Sequence, residues 1–141
     1  MSADGDSLPE SAESAENPAR PRVLCETAAL DGASARAGAM WRLEEPGRQL
    51  DANVVRIPPA RCVETHYEPD VDVLLLVTAG GGSLGSADGP RPLSEGSLVW
   101  LPRRSTRSLA AGDQGMTYLT VHRRRGGMRI QPPPGAAPLV P

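Results

Sequence analysis

A chain of 141 residues, 39% of them apolar and with a net charge of −2, carries enough apolar material for one globular domain. The balance excludes a nucleic-acid surface: all 15 basic residues are arginine, 17 acidic residues offset them, and aromatics make up only 3%. The longest aliphatic run, Val73 to Val77, is far too short to span a membrane.

Residues 1–21 hold five acidic side chains, Pro9 and Pro18, and no apolar run, so a disordered acidic tail is expected there. The opening "MSADGDSLPESAESAEN" lacks the apolar segment of a signal peptide. Cys25 and Cys62 are too few and too far apart for a zinc site or a disulfide scaffold. The expected location is therefore the cytoplasm, with both thiols reduced. The end, "GGMRIQPPPGAAPLVP", is Pro- and Gly-rich, and a second disordered tail is expected from residue 126 to 141.

Between them, residues 22–125 read as one domain of short strands. In chain order the expected strands are 22–26, 39–43, 50–57, 61–66, 71–78, 82–84, 97–101, 106–110 and 116–123. Turns are expected at "EEPG", "PP", "YEPD", "SADGP" and "AGDQG", and the run Gly80-Gly81-Gly82 reads as a tight turn. No apolar 3.6-residue period lasts beyond two turns, so the fold class is all-β, a sandwich or small antiparallel barrel. Strand 71–78 is apolar on both faces: Val73, Leu75 and Val77 on one, Leu74 and Leu76 on the other. A barrel interior buries one face, so the other should meet a second sheet or a second copy of the chain, and a homodimer is expected.

Two segments, 60–80 and 96–107, resemble the paired motifs of the cupin superfamily. The family's first glycine falls on Ala60, its first histidine on His66 and its second histidine on Glu68. Its glutamate slot holds Val73, and its closing glycine is Gly80. In the second motif Gly96 and Pro102 match. The next glycine slot holds Arg104, the histidine slot Arg107 and the final asparagine slot Ala111. Fifteen residues, 81–95, lie between the motifs. The resemblance implies an antiparallel jelly-roll barrel in which His66, Glu68 and Arg107 converge where the family holds a metal. Of the four ligand slots, His66 alone keeps the family's residue.

The residue types in those slots favour a site without a metal. His66 and Glu68, two apart on one strand, offer two donors, but Asp72 is one step out of phase for a third. Arginine has no acceptor atom, and at ~4 Å with an effective dielectric of about 20 it would repel a dication by roughly 8 kcal/mol. Arg107 instead matches a carboxylate by two-point contact, so a Glu68–Arg107 pair is expected to replace the metal, with His66 as a hydrogen-bonding neighbour. The bland alternative leaves His66 a polar wall residue with no chemistry. His122, in phase with Tyr118 and Thr120, is a further candidate for the same pocket, and Tyr118 and His122 join the expected ligand-binding set. Cys62, in phase with Glu64 and His66, sits about 13 Å from His66 on a strand and reads as an inert thiol. Trp41 and Trp100 read as packing anchors in core or interface.

The expected function is a small-molecule-binding domain with a pocket for a small polar or anionic ligand and no cofactor. The alternatives are a metal-dependent enzyme of dioxygenase, isomerase or epimerase type, using Fe, Mn, Ni or Zn on His66 and Glu68, and a dimeric interaction module.

Overall fold

The computed structural model describes residues 19–30 and 37–125. The expected tails, residues 1–18 of the first and 126–141 of the second, lie outside the described residues. The elements in chain order are α1 (Thr27–Leu30), β1 (Gly38–Arg42), β2 (Leu50–Ile57), β3 (Cys62–Glu68), β4 (Val73–Gly85), β5 (Arg91–Ser94), β6 (Leu98–Leu101) and β7 (Ser105–Arg123). Every strand pairing is antiparallel. The hydrogen-bonded path runs β1-β2-β7-β4-β5, with β3 added on β7 and β6 on β4. This is the all-β, antiparallel jelly-roll architecture expected, with only one short helix among the described residues.

Two strands run far longer than their local pattern indicates. Segments 71–78 and 82–84 are one strand, β4, and 106–110 and 116–123 are one strand, β7. The first half of β4 pairs the second half of β7 (Leu74↔Val121, Val77↔Tyr118), and its second half pairs the first half of β7 (Gly82↔Ala111, Leu84↔Leu109). Two shifts of register, between Val77 and Ala79 and between Gly80 and Gly82, bend both strands where the sheet turns its corner. Gly80-Gly81-Gly82 is therefore the inside of a bent strand and not a tight turn, and "AGDQG" continues β7. The glycines are there because the backbones touch. A Cβ on Gly80, at φ 72°, would strike the carbonyl oxygen of Gly115, and one on Gly82 that of Ala110.

Two other expectations are corrected. Residues 22–26 form exposed coil leading into α1, because Val23 and Leu24 find no face to cover. Strand β5 has no counterpart among the expected strands: Pro92 argues against a central strand, but β5 pairs only with β4 among the described residues, and an edge tolerates proline.

The core is built from the inward sets of these strands: Val73, Leu75 and Val77 of β4, Val99 and Leu101 of β6, Leu109, Met116 and Tyr118 of β7. The opposite face of β4 behaves differently. Leu74 stands beside Trp100 and Leu76 beside Leu98 in register. Leu74 is 43%, Trp100 58% and Leu98 65% exposed, so Trp100 is not a core anchor. Trp41 instead stands across from the fully buried Val54.

The backbone also bears on the motif register. Ala60 (φ 62°) and Arg104 (φ 72°) are the non-glycine residues with left-handed backbone among the described residues, and they occupy two glycine slots of the resemblance. Left-handed backbone costs an L-residue about 1–2 kcal/mol, against roughly 0.5–1 kcal/mol of extra chain entropy for glycine. Ala60→Gly and Arg104→Gly are each expected to stabilise the domain by about 0.5–1 kcal/mol, read as a higher urea midpoint. A lower midpoint for both would mean that these turns are not under that strain.

Candidate functional site

A cavity of about 190 Å³ lies among β3, β4, β6 and β7. Strand β3 contributes Val63, His66 and Glu68; β4 contributes Val73 and Leu75; β7 contributes Arg107, Leu109, Tyr118 and His122, among others. All five residues named from the sequence, His66, Glu68, Arg107, Tyr118 and His122, line this one space. Thr120, Ser108 and Arg125 also line it and are not among the five.

Local irregularity brings them there. The β3–β7 ladder runs Val63↔Leu109 and then His66↔Arg107, with a shift of register between. Strict alternation would send Val63 and His66 to opposite faces; the bulge puts both on the cavity side. It also takes Cys62, exposed, out of phase with His66, which overturns the shared phase expected for them. In β7 the bend at Gly112–Gly115 does the same, so that Arg107 and Leu109 share the cavity with Tyr118, Thr120 and His122.

Glu68 is 6% exposed and accepts four hydrogen bonds. Its Oε2 takes the Asp70 amide at 2.8 Å, the Val71 amide at 3.2 Å and Arg125 Nη1 at 3.3 Å. Its Oε1 takes Arg125 Nη2 at 3.1 Å. Burial acts to raise the carboxyl pKa, but the Arg125 fork and the two amides outweigh it and hold the pKa at about 2. The partner of Glu68 is thus Arg125, and the direct Glu68–Arg107 pair expected from the sequence does not form. Arg125 lies 57 residues along the chain, just past the end of β7, where its only local signal is membership of an arginine triplet.

Arg107 is left in an unusual position. It is 6% exposed, and its Nη1 donates to Ser105 Oγ at 2.9 Å and to the Ser105 carbonyl at 3.5 Å. Nε and Nη2 donate to nothing among the described residues, and no carboxylate there forms an ion pair with the guanidinium. Burial pulls its pKa down and the Glu68 charge acts in the opposite sense. It stays cationic at neutral pH, as arginine does in proteins. Ser105 sets its aim: the hydroxyl that takes Nη1 donates in turn to the Pro102 carbonyl at 2.6 Å.

Tyr118, 6% exposed, presents a hydroxyl with no hydrogen-bond partner among the described residues. Burial pushes its pKa up to about 12, so at neutral pH it is an O–H donor. The ring of His122 contacts the Arg123 carbonyl through Nδ1 at 2.8 Å. A carbonyl only accepts, so in the neutral ring Nδ1 carries the proton and Nε2 is the acceptor.

The donors do not match a catalytic divalent metal. Among the described residues no three His, Cys, Asp or Glu side chains come together to hold one. Both oxygens of Glu68 are already engaged, Val73 stands in the carboxylate slot of the resemblance, and the Arg107 cation occupies a histidine slot. A larger open groove of about 380 Å³ lies beside the β1–β2 turn. Two of its three arginines are paired, Arg22 with Glu45 and Arg48 with Asp51.

No protein-family model and no curated protein matches the sequence. Solved structures do match the fold. A cupin protein from Bacteroides fragilis superposes with a TM-score of 0.51 at 12% identity, over 66% of this chain and 80% of its own. The Cnp3 cupin domain of Schizosaccharomyces pombe gives 0.58 at 12% identity, over 67% and 66%. A protein from Silicibacter pomeroyi described as a sugar phosphate isomerase from a cupin superfamily gives 0.56 at 27% identity, over 69% of this chain and 62% of its own. The match thus spans less than two thirds of that protein's length. With the jelly-roll topology and the left-handed backbone at the two glycine slots, these likenesses establish that the chain has a cupin-like fold. No helix among the described residues is long and apolar enough to cross a membrane.

Proposed function

We propose that this domain binds a small anionic molecule in the barrel cavity and does so without a metal cofactor. The supporting observation is Arg107: a buried guanidinium, aimed into a cavity, with two nitrogens unpartnered among the described residues and no acidic partner there. An uncompensated buried cation is costly, and an anion in the cavity would supply the missing charge and acceptors. Tyr118 adds a hydroxyl donor to the lining of the same cavity. Binding to the folded state alone raises stability by about 2.7 kcal/mol at a hundredfold excess over Kd. Small anions exchanged for chloride at fixed ionic strength are therefore expected to raise the melting temperature of the wild type and not that of Arg107→Met. Equal shifts in both proteins would remove the cavity as the site.

A metal-dependent isomerase-type enzyme is the second reading, favoured by the likeness to the Silicibacter protein. It would require a divalent ion to bind the wild-type cavity. The free thiols of Cys25 and Cys62 support a reducing, cytoplasmic setting.

The outer face of β4 and β6 is the proposed homodimer contact. Leu74, Leu98 and Trp100 form one exposed apolar cluster on β6 and its neighbour, and β6 is an edge strand with β4 as its one partner among the described residues. Sedimentation at micromolar concentration should give twice the 14.8 kDa chain mass, and Trp100→Glu should return it to one. A wild-type mass near that of the single chain would count against the contact.

A further inference from the structure

The charge and shape of the cavity narrow the ligand beyond "anionic"; this step rests on the anion-binding reading above. Among the described residues three charged groups face the space: Arg107, Arg125 and Glu68. Arg125 and Glu68 neutralise one another through two hydrogen bonds, so one positive charge is left over, on Arg107. A single excess charge matches a monoanion. Phosphate monoesters carry about −1.5 to −2 at pH 7 and would face Glu68 with surplus negative charge.

Donor geometry agrees. With Nη1 held by Ser105, the nitrogens unpartnered among the described residues are Nε and Nη2, which share one edge of the guanidinium plane. That edge presents two parallel N–H groups, which fit the two oxygens of a planar carboxylate. Tyr118 offers one more donor. The rest of the lining includes Val63, Val73, Leu75, Leu101 and Leu109, which are apolar and call for a hydrocarbon body. At a liquid-water share of about 30 Å³ per molecule, a 190 Å³ cavity has room for about six waters, so the body is short.

We infer that the cavity takes a small monocarboxylate with a short apolar body, its carboxylate on the Nε–Nη2 edge of Arg107 and within reach of the Tyr118 hydroxyl. The probe is isovalerate, a branched monocarboxylate, titrated by calorimetry at fixed ionic strength. Acetate, isovaleramide and inorganic phosphate are the comparators. Isovalerate should bind at least tenfold tighter than acetate, which lacks the apolar body, and tenfold tighter than isovaleramide, which lacks the charge. Arg107→Met should weaken isovalerate by about ten- to a hundredfold, and Tyr118→Phe, which keeps the ring in the core, by roughly tenfold. Phosphate binding as tightly as isovalerate, and lost in Arg107→Met, would overturn the monocarboxylate assignment while leaving the anion site standing. No binding by any of the anions, or equal binding of amide and acid, would overturn both.

Discussion

Replacing Glu68 with alanine should lower the stability of the domain by about 3 kcal/mol, a fall of roughly 10–20 °C in Tm for a domain of this size. The carboxylate closes three structures at once. It ties β3 to the segment that follows β7 through Arg125, caps the Asp70 and Val71 amides at the entry to β4, and offsets a cation inside the cavity. Its loss strands two amides and leaves Arg125 without its anion. Arg125→Ala should cost less, because the Arg125 side chain is half exposed. Acid offers an independent measure. The folded pKa of Glu68 is depressed from 4.5 to about 2. A depressed acid contributes stability above its unfolded pKa and loses it as pH falls toward the folded one. A depression of that size corresponds to about 3 kcal/mol. The urea midpoint of the wild type should therefore fall between about pH 5 and pH 2 by more than that of Glu68→Gln, which has no charge to lose. Parallel curves for the two proteins would show that Glu68 is not the acid-sensitive link.

Arg107→His should convert the cavity from an anion site into a divalent-metal site. Arg107 and His66 are direct cross-strand partners on the cavity side of β3 and β7, a position from which two imidazoles can share one ion. The substitution also removes the fixed cation that opposes a dication there. His122, whose Nε2 is the acceptor in the neutral ring, lines the same cavity and is the candidate third donor. Zinc or nickel affinity, measured by competition with a chromophoric chelator near pH 7.5, should rise at least tenfold over the wild type, while isovalerate binding is lost. Wild-type affinity equal to that of the variant would mean that Arg107 does not hold the metal out, and would favour the enzymatic reading.

Much of this site is legible in the sequence. Motif spacing places His66, Glu68 and Arg107 together, and the strand phase of β7 adds Tyr118 and His122; all five line one cavity. What spacing cannot supply is the pairing among them. Arginine at the histidine slot makes Arg107 the natural partner for Glu68, but Arg125 reaches the carboxylate from 57 residues away, and nothing local in "RRR" singles it out.

By itself, the sequence determined what depends on short range. Period-2 alternation marked most strands, including β2 to the residue, and both apolar faces of β4. The spacing of Gly80, Gly96 and Pro102 marked the cupin-like fold. Tertiary structure decided the rest, because each remaining feature is a contact between distant segments. Whether three glycines form a turn or a bend depends on which backbone crosses them, here that of β7. Whether Val63 and His66 share a face depends on one extra residue in β3, which only the ladder with β7 defines. And Arg107 became a buried cation without an acidic partner among the described residues only because another arginine, folded in from the far end of the domain, had already taken its carboxylate.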